Sequence, residues 1–213
     1  LKSILFQEQN LTLHPCRGIL WEEKRTLLIA DLHLGKAAHF RKQGLAAPAA
    51  IINQNFSNLK QLLDDFHPVK VLFLGDLFHS SLNNVWVKFA KFLSDYTEIS
   101  FELVKGNHDI LSADIYKESV MKIHNPHLII EPFIFSHYPL GTEDLQHYNF
   151  YGHLHPGVVL EGTGKQVMKL PCFYFARKQA VLPAFGAFTG LSIVYPKPGE
   201  RVFVIAEEEV IEM

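Results

Sequence analysis

Val71-Leu-Phe-Leu-Gly-Asp-Leu-Phe-His79 decides the fold. Four apolar residues run without a polar break, which is the pattern of a strand buried on both faces of a parallel sheet. Gly75 then allows a sharp turn, and Asp76 is delivered to the carboxyl edge of the sheet, where open α/β folds keep their ligands. The same grammar recurs on either side. Thr26-Leu-Leu-Ile-Ala30 ends in Asp31-Leu-His33, and Ile99 to Val104 ends in Gly106-Asn-His-Asp109. In an extended chain, residues two apart point to one side, so Asp31 and His33 are expected to grip one ion together.

Between these strands the spacing predicts helices. Ile51, Ile52, Phe56, Leu59, Leu62, Leu63 and Phe66 form one apolar stripe in a helix from Pro48 to Phe66, and Pro68 stops it. Val85, Trp86, Phe89, Phe92 and Leu93 do the same in a helix from Asn83 to Asp95. This rhythm demands right-handed crossovers and a largely parallel sheet. Before it, residues 3–21 read as short antiparallel strands, with His14-Pro15 and Gly18 as turns. After Asp109 a short helix over 112–118 is expected. His124 and His127 are expected as exposed turn residues, and the remaining chain is expected to be β-rich. Phe133 to Phe135 leads to Ser136-His-Tyr-Pro139, and Asn149 to Tyr151 leads to Gly152-His-Leu-His155. Pro196 to Gly199 reads as a turn, and Glu207 to Glu209 as a solvated acidic edge.

Composition sets bounds. The chain has 213 residues, 48% hydrophobic and 20% charged, which suits an ordinary globule of one domain spanning 1–213. A net charge of -2 without a long basic run gives no compositional support for strong non-specific nucleic-acid binding. Cys16 and Cys172 lack CxxC spacing and read as two small buried thiols. No apolar run reaches membrane-spanning length and the start shows no signal-like segment, so a cytoplasmic protein without a membrane partner is expected. The oddity is the presence of 12 histidines. Six of them, His33, His79, His108, His137, His153 and His155, fall in short motifs at strand ends, and histidine is the commonest metal ligand.

Each motif alone is weak. Five of them, in order and each after an apolar strand, point to a metal centre, because unpaired buried ionisable groups cost several kcal/mol each. Such a centre can make hydroxide available near neutral pH. Imidazoles mixed with hard oxygens suit Mn, Fe, Zn, Co or Ni better than Ca or Mg alone.

The order and spacing resemble the calcineurin-like metallophosphoesterases over nearly the whole chain. Within them, residues 30–41 and Leu182-Pro-Ala-Phe-Gly-Ala-Phe-Thr-Gly190 are similar to the bacterial DNA-ligase-associated metallophosphoesterases. The resemblance implies an α/β fold with a β-sandwich flanked by helices in four layers, α/β/β/α. It implies Asp31, His33 and His155 on a first metal, Asn107, His137 and His153 on a second, and Asp76 bridging. His108 is implied over the substrate phosphate as general acid or charge stabiliser, with Asp109 orienting it. Two divalent ions are implied, manganese foremost. So are a DNA-repair endonuclease activity and work beside a DNA ligase, a helicase and an exonuclease. His79 departs from the family, many of whose members place an acidic residue there; it reads as second-layer, substrate-touching or bland. The basic segment after Gly35, with Lys36, His39 and Arg41, is either a solvated helical turn or a phosphate-binding segment. Pro183 to Gly190 is either a simple turn or a loop shaping the cleft. Other readings are a hydrolase of small nucleotide diesters or nucleotide-lipid pyrophosphates and, in another class, a non-catalytic scaffold like the retromer subunit of this fold.

Overall fold

The computed structural model describes residues 1–36, 50–78, 82–141, 146–162, 164, 166–186 and 189–213, with the side chains of 50–52 left aside. Two sheets pack face to face. The first runs in chain order through β1 (Lys2–Phe6), β2 (Gln9–Leu13), β3 (Ile19–Trp21), β4 (Thr26–Ile29), β5 (Lys70–Leu74), β6 (Ser100–Val104) and β7 (Met121–His124). Its early pairings are antiparallel, and β4 to β7 are parallel. The second sheet holds β8 (His127–Ile130), β9 (Phe133–Ser136), β10 (Tyr148–Tyr151), β11 (Pro156–Glu161), β12 (Val167–Phe175), β13 (Gln179–Val181) and β14 (Ser192–Ile193) in the order β14-β11-β12-β13-β10-β9-β8. β15 (Arg201–Ala206) pairs with β12 and with β16 (Glu209–Glu212).

The unbroken apolar run of β5 has a simple cause. Leu72 and Leu74 face the second sheet, in a core with Trp21, Phe133, Phe150 and Phe173. Val71 and Phe73 face the other way, against Leu59, Leu62, Trp86 and Phe89 of the helices. β4 divides in the same manner, with Leu28 inward and Leu27 and Ile29 toward the helices. A strand between two cores has no side on which a polar residue is cheap. Three helices, α1 (Ala50–Phe66), α2 (Asn84–Ser94) and α3 (Ala113–Glu118), follow the expected segments closely. Asn83 caps α2 by accepting the Val85 N–H at 2.8 Å. Pro48 lies outside the described residues.

The three described α-helices pack on the first sheet, giving the expected α/β sandwich its helical layer there. On the outer face of the second, Val158, Cys172, Val202 and Val204 form a small cluster of their own. Among the described residues no helix is long and apolar enough to cross a membrane.

Several local expectations need correcting. His124 is not an exposed turn residue. It ends β7 half-buried, its Nε2 2.6 Å from Glu102 Oε2. His127, by contrast, is exposed, at the start of β8. Glu207 to Glu209 is exposed, as expected of a solvated edge, and lies at the turn of the β15–β16 hairpin. Both cysteines are free thiols, but Cys16 is only half-buried.

The His124 contact belongs to a buried polar node. The Glu102 side chain is 5% exposed and also sits 2.9 Å from Lys70 Nζ, so one carboxylate ties β5, β6 and β7. Burial pushes its carboxyl up, but hydrogen bonds from Lys70 and His124 outweigh burial and hold it below the usual range. A depressed carboxyl contributes stability above its unfolded value of 4.5, and that contribution is lost as pH falls through the lower folded value. Glu102→Gln is therefore expected to lower stability at pH 7 by about 3 kcal/mol. The variant should also flatten the fall in melting temperature on acidification, which scanning calorimetry between pH 7 and pH 3 reads directly.

Candidate metal centre

The tips of β4 and β5 stay side by side as they leave the sheet. Asp31 N donates to Gly75 O at 3.2 Å, His33 N to Asp76 O at 2.9 Å and Leu34 N to Leu77 O at 2.9 Å. This brings Asp31 and His33 beside Asp76. The backbone there is not extended. Asp31, His33, Asp76, His153 and His155 all have positive φ, between 47° and 68°. Left-handed backbone is costly for non-glycine residues and persists where surroundings over-determine it, often at functional sites. The pairing of Asp31 with His33 thus arises from two successive left-handed turns, and not from the i, i+2 geometry of a strand.

Glycines make room for the polar tips. A Cβ on Gly75 would lie 2.2 Å from His137 Nδ1, and one on Gly152 2.6 Å from Asp31 Oδ2. A Cβ on Gly106 would lie 2.3 Å from Asp76 Oδ1. The backbone N–H groups of the loops then orient the carboxylates. His153 N donates to Asp31 Oδ2 at 2.8 Å, and His108 N to Asp76 Oδ1 at 3.0 Å.

Two donor groups result, Asp31 with His33 and His155, and Asp76 with His137 and His153, each with ligand atoms within 4.8 Å of one another. They adjoin, since His137 Nδ1 is 4.0 Å from Asp31 Oδ1. Asn107 joins the second group, its Oδ1 3.3 Å from His137 Nε2. The donor chemistry fits cations. His137 Nδ1 lies 3.0 Å from Leu74 O, a carbonyl that can only accept, so Nδ1 carries the proton and the neutral ring turns a lone pair outward at Nε2. That lone pair meets Asn107 Oδ1 at 3.3 Å and Asp76 Oδ1 at 3.4 Å, three acceptors converging on one spot. In the first group, Asp31 Oδ1 is fully buried and accepts no hydrogen bond from the described residues, 3.6 Å from His155 Nε2, and His33 Nε2 lies 3.2 Å from His155 Nε2. Burial, with His137 nearby, pushes the His153 imidazole below its ordinary value, toward the neutral form that binds metal.

His108 stands at the open face. Its side chain is 40% exposed and its Nε2 lies 3.9 Å from Asp76 Oδ2. Asp109 is buried and has a different set of partners from the expected one. Its Oδ1 accepts the N–H groups of Leu77 and Phe78 at 2.9 and 3.2 Å, and its Oδ2 accepts that of Gly106 at 2.8 Å. It staples the loop after β5 to the loop after β6, and burial pushes its carboxyl up to about 6 despite these bonds. Lys36 is half-buried, with its ammonium pushed down by burial and drawn back by Asp76 and Asp31. His39, Arg41 and His79 lie outside the described residues.

The 183–186 stretch lies against the site: Phe185 N donates to Ala30 O at 2.8 Å and Gly186 N to Asp31 O at 3.0 Å. Arg17 grips it from behind, donating to Ala184 O at 2.9 Å. Sequence reasoning passed over Arg17 and also Tyr138, whose ring packs against two of the histidines. The available signal for Tyr138 was its place directly after His137 in Ser136-His-Tyr-Pro139.

The family model for calcineurin-like phosphoesterases matches residues 24–181. Comparison with curated proteins gives no match. Among solved structures, Pseudomonas putida nuclease MPE is 27% identical and covers 100% of this chain and 99% of its own, with a TM-score of 0.84. Yfce, a phosphoesterase from E. coli, is 14% identical, with a TM-score of 0.44 over 88% of this chain and 97% of its own.

Proposed function

Since this chain belongs to the calcineurin-like phosphoesterase family and is a metal-dependent phosphoesterase, we propose that it hydrolyses phosphodiester bonds in nucleic acid with two divalent cations, manganese foremost. The observation that carries this reading is the pair of adjoining donor groups around buried Asp31 and Asp76. Asp31, His33 and His155 would hold one ion, Asn107, His137 and His153 the other, and Asp76 would serve both. When bound, such a pair lowers the pKa of a shared water toward neutrality and offsets charge at the phosphoryl group.

The chain's own residues supply the rest. His108, at the open face, donates a proton to the leaving oxygen or a hydrogen bond to the phosphoryl oxygens. Asp109 fixes the two loops that carry Asp76 and His108. Lys36 adds positive charge to the substrate face, and His39, Arg41 and His79 are proposed to extend it. Nucleic acid as substrate is supported by the 27% identical nuclease that matches end to end. An endonuclease role in cytoplasmic DNA repair, beside a ligase, a helicase and an exonuclease, is part of the same reading.

The test is turnover of bis-p-nitrophenyl phosphate and of single-stranded DNA with manganese, and its loss in chelator. Activity confined to small diesters would remove nucleic acid from the proposal and favour a small nucleotide diester. His108→Ala is expected to lower kcat by about 10²–10⁴-fold with manganese content unchanged. Equal turnover in variant and native protein would overturn the role of His108, and absence of turnover in both would favour a scaffold.

A further inference from the structure

Tyr138 touches three of the four side chains assigned to the second cation. Its hydroxyl donates to Asn107 Oδ1 at 2.9 Å. Its ring meets those of His137 and His153 edge-on, with centroids 4.7 Å away in each case. The residue is 44% exposed, so it stands at the solvent side of that pocket and not in the core. Its backbone is nonetheless held, because buried Ser136 donates its hydroxyl to Tyr138 O at 2.6 Å.

We infer that Tyr138 is a positioning residue for the second cation, its hydroxyl anchoring the Asn107 oxygen and its ring holding His137 and His153. The reason lies in Asn107. A carboxamide has two ends of nearly the same shape, an oxygen that ligates cations and an NH₂ that repels them. Asn107 is exposed, so packing alone does not decide between them. A phenol can donate or accept, so it does not select the end alone; here it donates to the oxygen at 2.9 Å and holds that oxygen where a cation would select it. The oxygen keeps a second lone pair for the ion, on the side where His137 Nε2 already lies 3.3 Å away. The ring adds a further constraint. His137 is locked by its bond to Leu74 O, whereas His153 sits half-buried on a loop with left-handed backbone. An aromatic edge against both rings limits their rotation. Groups that orient metal ligands in this way govern affinity and not merely fold.

The inference rests on the two-cation reading above, and its test separates the two. Manganese is titrated into the full chain by calorimetry, with electron paramagnetic resonance on the same samples. Native protein should take up two ions and give an exchange-coupled spectrum. Tyr138→Phe keeps the ring, and it is expected to weaken one ion by about 10-fold, leave the other unchanged and lose the coupled signal at low manganese. Tyr138→Leu, which loses the ring as well, should weaken that ion further. At a position so exposed, neither change threatens folding, and circular dichroism checks this. If native protein binds two ions and Tyr138→Phe binds both as tightly, the inference is overturned while the two-cation reading stands. Equal weakening of both ions also overturns it, as does an unchanged manganese affinity with a raised KM for DNA, which would make Tyr138 a substrate contact. Fewer than two ions in native protein overturns both.

Discussion

Asp76→Asn is expected to lower kcat/KM for a manganese-supported diester by at least about 10³-fold while the protein stays folded. Asp76 is 3% exposed, just past the tip of β5, whose residues Val71 to Leu74 are all buried. Its Oδ1 accepts the His108 N–H and lies 3.4 Å from His137 Nε2, and its Oδ2 faces His108. The carboxamide matches the carboxylate in shape, so the hydrogen bond from His108 survives. On the two-cation proposal, what goes is the negative charge between the ions, and with it several kcal/mol of charge balance. About 4 kcal/mol corresponds to about 10³ in rate. The same change should not destabilise the protein in chelator. Asp31, Asp76 and Asp109 are all buried close together, and removing one charge relieves repulsion that metal would otherwise offset. A melting temperature in chelator equal to or above that of native protein, with turnover lost, is the expected pair of results. Turnover within tenfold of native protein would contradict the bridging role.

Gly106→Ala is expected to be as damaging with one methyl group. Its Cβ would sit 2.3 Å from Asp76 Oδ1, 2.6 Å from Asp76 N and 2.9 Å from His137 Nε2. These are not flexible chain ends that can swing away. Asp76 N is backbone, and His137 is 1% exposed and tied to Leu74 O. The loop after β6 must therefore retreat, taking Asn107 and His108 with it. Overpacking of this kind costs about 1–3 kcal/mol of stability. The activity loss should be far larger, about 10²-fold or more, because misplacement by about 1 Å already costs that much. Steady-state kinetics beside a thermal melt separates the two. A variant that melts several degrees lower yet turns over normally would show that the loop does not need its close approach to Asp76.

The sequence made the strands and their polar tips legible for one reason. β4 and β5 lie between two cores, so their runs from Leu27 to Ile29 and from Val71 to Leu74 read as apolar without a break; β6 is interrupted by Glu102, which is paired with Lys70 and His124. A polar residue directly after such a run stands out. Where that demand weakens, legibility does too. Met121 to His124 and Glu209 to Glu212 form edge strands of mixed polarity, and His124 looked like a turn because its only demand, the Glu102 carboxylate, comes from 22 residues away. The left-handed backbone at Asp31 and His33 was hidden as well, since neither residue is a glycine and nothing in the local pattern marks it. The resemblance implied that Asp109 orients His108; the hydrogen bonds that hold Asp109 come from three backbone N–H groups of two loops, and backbone groups leave no signature in a sequence. Tyr138 and Arg17 act through contacts made only once the sheets have packed.

The most direct test is anomalous scattering from crystals of the protein grown with manganese. Two peaks are expected about 3.5–4 Å apart, one bounded by Asp31, His33 and His155, the other by Asn107, His137 and His153, with Asp76 touching both. A single peak, or peaks away from these side chains, would contradict the account.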